Sequence, residues 1–304
     1  MIVNRIFAPY ALGAGIALVM LACGDTHAQV RRGGEIPIAL ENVTPSTGMC
    51  RRDDVAIAQT MAAAKEIVPA LECAMSVEEV RKAMTNPVTQ LVDLRTPAEF
   101  RIFHIDGALN LSLPQLLTKP YWRDKPVVLT GNGKGEIELY RACSRLRQSG
   151  YHQVRVLRGG MPMWLAQQQP VAGRAPAPEQ LAQLAPVELW EESQNAHNLL
   201  VVDPGLSAML SDLPGAVALA RPDVEAIRAA LEKRQKTHRN APPASLIWVT
   251  EATPAQIQQV QDVLSAVPLL VYAQGREPFQ RQLAIQQAVW AAQAKGPKRL
   301  GCGL

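Results

Sequence analysis

The chain has no Cys-x-x-Cys pair and no cluster of histidines and cysteines. Its 5 histidines and 5 cysteines are scattered, and no metal-ligand spacing can be assembled from them. Neither the Walker pattern nor the dinucleotide fingerprint is met, so no metal and no cofactor are expected. Excess charge of one sign is also missing. A formal net charge of +4 over 304 residues is too mild for nucleic-acid binding. The basic spots at Arg31–Arg32, Arg51–Arg52 and residues 295–299 read as solvated surface. With 48% hydrophobic and 19% charged residues, the composition is that of a globular protein, long enough for two domains.

What is present begins with an address. Asn4-Arg5, an apolar run from Ile6 to Ala22 and small polar residues behind it have the pattern of a secretory signal peptide over residues 1–28. Thr26-His27-Ala28 suits ordinary cleavage. Met20-Leu21-Ala22-Cys23 resembles a lipoprotein box that would lipidate Cys23, though with Leu21 where a small residue is expected. The expected location is the periplasm, with any membrane contact made only through that lipid. Either route leaves Cys50, Cys73, Cys143 and Cys302, which permit zero, one or two disulfides in an oxidising compartment. Cys50 and Cys73 stand at the two ends of one Ala-rich segment, 51–74, expected to be a helix within an N-terminal extension, 29–75. Their bridge is the favoured one.

From Ser76 onward the pattern is α/β. Ser76 with Glu79 three residues on is a capping box. Gln90–Leu94, 105–113, 127–130 and 154–157 read as strands, and Glu136–Gln148 as a helix closed by Gly150. A further short helix runs through Trp164. Alternating strands and helices predict a mainly parallel sheet with helices on both faces. An Ala/Pro-rich stretch, 170–186, marks a linker (174–186 in the narrow sense). The pattern then returns. Val187-Glu188 matches Val77-Glu78, and Val202-Asp203 matches Val92-Asp93, both 110 residues apart. Leu246–Thr250 and Leu269–Tyr272 repeat 127–130 and 154–157. This predicts two tandem domains, 76–173 and 187–294, with a tail at 295–304.

Leu91-Val92-Asp93-Leu94-Arg95-Thr96-Pro97-Ala98-Glu99-Phe100, followed by His104-Ile105-Asp106-Gly107-Ala108, resembles the opening signature of the rhodanese-like domain. Gly159-Gly160-Met161-Pro162-Met163-Trp164 resembles its closing signature. The second half is similar only in outline, lacking the Asp-x-Arg, the His and the terminal Trp. The resemblance implies sulfur transfer through a cysteine at the end of the third strand, whose following loop aims backbone N–H groups at a persulfide. At that position this sequence has Thr130, and its counterpart in the second half is Thr250. A hydroxyl forms no persulfide and is a weak nucleophile without a base, and no histidine lies between Thr130 and Tyr151. Where the related phosphatases keep an arginine stands Glu136, whose charge would repel an oxyanion.

The loop Thr130-Gly131-Asn132-Gly133-Lys134-Gly135 remains a candidate anion or ligand site, against the plainer reading that its glycines only supply a tight turn. Asp93 and Arg95 read as a structural pair, and His104 as ordering its turn. Two functional readings follow. One is an exported, non-catalytic protein with two degenerate rhodanese-like domains, binding a protein partner in the bacterial envelope. The other is a sulfurtransferase or thiol-redox protein using a non-standard cysteine, Cys302 or Cys143.

Overall fold

The structure, a computed structural model, describes residues 67–238 and 242–294. The signal-peptide segment, Cys23, Cys50, Cys302 and the tail lie outside these residues, as does most of the helix expected over 51–74.

Two parallel sheets organise the described chain. The first contains β1 (Ala74–Met75), β2 (Gln90–Asp93), β4 (Leu109–Asn110), β5 (Val127–Thr130) and β6 (Val154–Leu157), in the order β1-β6-β5-β2-β4. The second contains β8 (Leu199–Val202), β9 (Val217–Ala218), β10 (Leu246–Val249) and β11 (Leu269–Tyr272), in the order β11-β10-β8-β9. Position by position, the second order repeats the first: β11, β10, β8 and β9 stand where β6, β5, β2 and β4 stand. Even the edge strand has an echo, because Gln183 bridges Val271 in parallel as β1 pairs with β6.

Successive side chains of a strand point to opposite faces, and a sheet covered on both sides buries both sets. On β5, Val127 and Leu129 join one core cluster while Val128 joins the other. On β10, Leu246 and Trp248 face one cluster, and Ile247 and Val249 face its counterpart. The first sheet is covered by helices α1 (Val77–Met84), α2 (Pro97–Ile102), α3 (Leu113–Leu117), α4 (Glu136–Gln148) and α5 (Gly160–Ala166). After the linker helix, α6 (Pro178–Ala182), the second sheet carries α7 (Pro186–Ser193), α8 (Val224–Thr237), α9 (Pro254–Val263) and α10 (Arg276–Ala294). The α1 cap forms as its sequence predicts: Glu79 N–H donates to Ser76 Oγ at 3.2 Å and Ser76 N–H to the Glu79 carboxylate at 2.7 Å.

Four expectations are corrected. The end of the proposed 51–74 helix is not helical: Pro69 lacks the N–H that a helix needs, and Leu71–Cys73 makes a 3₁₀ turn into β1. The strand expected over 105–113 is only the pair Leu109–Asn110, because Ser112 and Gln115 form a capping box that starts α3. The Ala/Pro-rich stretch does more than tether. Its β7 (Ala172–Gly173) pairs antiparallel with β3 (Phe103–His104), and Leu184 enters the second core with its N–H on Val271 O at 2.8 Å. The favoured Cys50–Cys73 bridge is replaced by Cys73–Cys143, whose Cα atoms are 6.7 Å apart. The 3₁₀ turn and α4 pack side by side over β6, a neighbourhood that sequence spacing does not reveal.

This bridge closes a segment with a sequence separation of 70 residues. Constraining the unfolded chain over that length stabilises the fold by about 4 kcal/mol in the loop-entropy account. Cys143→Ala is expected to lower unfolding stability by an amount of that order in denaturant titrations. Adding reductant should shift the wild-type midpoint toward that of the variant and leave the variant unmoved. Equal midpoints for the oxidised wild type and the variant would contradict the assignment.

Candidate functional site

β5 lies between β2 and β6, so its carboxyl end opens at the middle of the first sheet. Thr130 ends this strand. It is fully buried; its carbonyl accepts the Leu94 N–H at 3.0 Å, while its Oγ1 has no hydrogen-bond partner among the described residues. The loop then folds back tightly. Gly131 O accepts the Met161 N–H at 2.9 Å, tying the loop to the start of α5. Gly133 has φ 82°, and a Cβ there would lie 2.8 Å from Gly159 O and from Pro162 Cγ. Only glycine fits. Gly135 adopts the left-handed conformation at φ 59° and begins α4 as its N-cap.

The loop amides would suit an anion, and one is supplied from within the chain. Glu192 on α7 is buried, and its Oε1 accepts the Gly135 N–H at 2.5 Å. Its Oε2 accepts from Asn198 Nδ2 at 2.7 Å, and Asn198 in turn accepts the Ser245 N–H at 3.2 Å. One helical turn earlier, Glu188 forms an ion pair with Lys134, with Nζ to Oε2 at 2.8 Å, and also accepts the Ala185 N–H at 2.7 Å. Two carboxylates of the second half therefore engage the first half's loop at adjacent residues.

A third carboxyl lies under the loop. Glu136, in the first turn of α4, is buried; its Oε1 accepts the Tyr140 hydroxyl at 2.6 Å, and its Oε2 has no partner among the described residues. Burial pushes its pKa up to about 7, against the pull of the Tyr140 hydroxyl, the Gly159 amide and Arg158, with Glu192 adding to the rise. Burial likewise raises Glu192, opposed by the Gly135 and Asn198 donors, and raises Tyr140. The site is thus rich in carboxyl groups. The loop's own cation, Lys134, is neutralised by Glu188. Thiolate or oxyanion chemistry needs the reverse balance.

The other residues singled out in the sequence have separate roles. Asp93 and Arg95 bind each other, with Nη2 to Oδ2 at 2.7 Å, and Arg95 Nη2 also donates to Phe103 O at 2.7 Å. His104 stacks on Phe100 with ring centroids 3.9 Å apart, and its Nδ1 lies 2.9 Å from Phe100 O. Cys143, named above as a candidate non-standard nucleophile, has its sulfur in the bond to Cys73. In the second half Thr250 is fully engaged: its hydroxyl donates to Asp203 Oδ2 and accepts the Ala252 N–H at 2.8 Å, while Trp248 Nε1 donates to Asp203 Oδ1 at 2.7 Å. Glu192 and Asn198 escaped the sequence reading, since neither stands in a motif. Glu188 was noted only as a repeat of Glu78. Among the described residues no group of three or more His, Cys, Asp or Glu side chains could hold a metal ion.

Residues 76–167 match the family model of the rhodanese-like domain, and this segment is a rhodanese-like domain. A curated relative, the uncharacterized protein YqhL of Bacillus subtilis (strain 168), is 38% identical over 77 residues, 25% of this chain. The chain spans 60% of that relative's length. Among solved structures, the Alr3790 protein from Anabaena sp. is 21% identical, covering 33% of this chain and 91% of its own with a TM-score of 0.30. A thiosulfate sulfurtransferase from Pseudomonas aeruginosa is 18% identical, covering 69% and 42% respectively, also at 0.30.

The Glu136 carboxyl sets a pH dependence with a definite sign. Its pKa is higher in the folded state, so folding takes up protons, and the stability it contributes is complete below the ordinary value of 4.5 and lost as pH rises through about 7. The loss amounts to about 3 kcal/mol at most. Glu136→Gln, which keeps an acceptor for Tyr140, is expected to flatten the decline in stability between about pH 5 and about pH 8. Parallel denaturation series would check this; an unchanged slope would show that the carboxyl is not buried as described.

Proposed function

We propose that this is an exported, non-catalytic rhodanese-like protein, whose second half is a degenerate copy of the first, with a binding or assembly role in the bacterial envelope. The observation that carries the reading is the pairing of Thr130, at the strand end where the family resemblance implies a cysteine, with a following loop whose Gly135 N–H is held by Glu192. A site without its sulfur carrier, and with a carboxylate on its amide, has neither the nucleophile nor the anion cradle for sulfur transfer. Rhodanese-like residues that shape the strand ends, Asp93, Arg95 and His104, nevertheless remain in hydrogen-bonded positions. Retained packing with displaced chemistry favours a surface that is recognised over a pocket that turns over. The N-terminal segment, with its signal-peptide pattern, supports export.

The full chain, purified after export, is expected to produce no thiocyanate from thiosulfate and cyanide and no persulfide mass increment. Thr130→Cys alone should not restore either, because Glu192 and Glu188 still occupy the loop's amide and lysine. Turnover by the wild-type chain that disappears in Cys302→Ser would overturn the reading in favour of a sulfurtransferase with a non-standard cysteine. A persulfide on the Thr130→Cys variant would show that the loop still accepts the anion.

A further inference from the structure

Between the two halves lies a cavity of about 490 Å³, a size that suits a small organic molecule. One side is formed by α5 and the turn after it, including Met163 and Gln167, and by α6 with Glu179. The other is formed by α9, with Gln258, Gln261 and Asp262, and by the segment leading into β11, with Pro268. Gly133 reaches its wall, so the cavity adjoins the loop but does not contain Thr130 or Glu136.

The chemistry of the lining is one-sided. Its apolar part comes from proline, methionine, leucine, valine and alanine. Its neutral polar groups are mainly glutamine amides, which both donate and accept. Its charged groups are Glu179 and Asp262, one from each side, and none of the lining residues is a lysine, arginine or histidine. Glu179 has no ion-pair partner among the described residues, and Asp262 is met only by Gln258 Nε2, which donates to its Oδ1 at 2.8 Å. The adjoining hollow holds a cation, Arg158, whose Nη2 donates to Pro243 O at 3.1 Å. The turn at the rim also includes Gln168, the one non-glycine residue with positive φ among those described, at 55°. A backbone held off its usual conformation beside a cavity is a recurring companion of ligand sites.

We infer that this cleft binds a small organic cation, an amidinium, guanidinium or alkylammonium group on an apolar body. The body would lie on Met163 and Pro268, and the N–H donors would meet Glu179, Asp262 and the glutamine carbonyls. An anionic ligand of the same shape would face two carboxylates and no counter-charge. This selectivity is opposite to that of an anion-binding rhodanese-like loop, and it stands whether or not that loop is catalytic.

Benzamidine and benzoate, nearly the same shape and opposite in charge, make the test. In calorimetric titrations of the full chain, benzamidine is expected to bind saturably and benzoate at least about tenfold more weakly. The double variant Glu179→Gln, Asp262→Asn should weaken benzamidine by about tenfold, the loss expected for charge-assisted hydrogen bonds. Ala166→Trp, which fills the cavity from its wall, should abolish the heat while circular dichroism shows each variant folded. Benzoate binding as tightly as benzamidine, no saturable benzamidine heat, or equal binding by the double variant would each overturn the assignment.

Discussion

Gly135 donates its N–H out of the turn that begins α4, and the carboxylate that accepts it belongs to α7, from the other half of the molecule. Burying a carboxylate carries a desolvation penalty of several kcal/mol, so such a contact persists only where donors surround it. Here Glu192 has three sources of support: the Gly135 amide, the Asn198 side-chain amide, and the positive end of the α4 dipole. Asn198 is itself fixed by Ser245 just ahead of β10, so the carboxylate's position is set by the second sheet. The Lys134–Glu188 pair alongside is partly exposed, its side chains 20% and 31% accessible, and is worth less by itself. Its effect is to fix the register in which α7 meets the loop.

α4 is consequently held at two points. Its N-terminus is joined to the second half through Glu192, and its middle is joined to the chain ahead of β1 through Cys143 and Cys73. Between them, Tyr140 closes over Glu136 and keeps that carboxyl out of water. A loop that must open around a bulky anion needs slack at the start of its helix. This loop has little, because Gly133 packs against Gly159 and Pro162 on one side and Gly135 is bonded to Glu192 on the other. The tight turn at the end of β5 frames a junction with the second half.

Much of the fold was legible in the sequence because it is written in local patterns. The apolar runs at 90–93, 127–130 and 154–157, the capping residues Ser76 and Glu79, and the glycines at 133 and 135 each obey a rule that operates within a few positions. The parallel character of the second sheet followed from the same runs recurring. What was not legible depends on contacts distant in sequence. Cys73 and Cys143 meet because both flank β6, and spacing favoured the wrong partner. Glu192 looks like any exposed helical glutamate until α7 is placed against the loop. Its burial is a property of the junction between the halves. Ser112 and Gln115 were visible but unread, which let the strand at 109–110 run too long.

The two halves also divide the remaining polar capacity unequally. In the second, Asp203 is saturated by Trp248 and Thr250, and Thr250 is saturated in turn by Ala252, so the strand ends are sealed from within. In the first, Asp93 turns to Arg95 instead, and Thr130 Oγ1 and Glu136 Oε2 keep unspent hydrogen-bonding capacity. Two residues make the difference: Gly205 stands where the first half has Arg95, and the Trp248 indole N–H reaches Asp203 alongside the Thr250 hydroxyl. Leu129 and Val128 near the end of β5 have no such donor to offer. The second half presents α7 to the junction, where burial raises the pKa of two carboxyl groups, Glu192 from α7 and Glu136 from the first half.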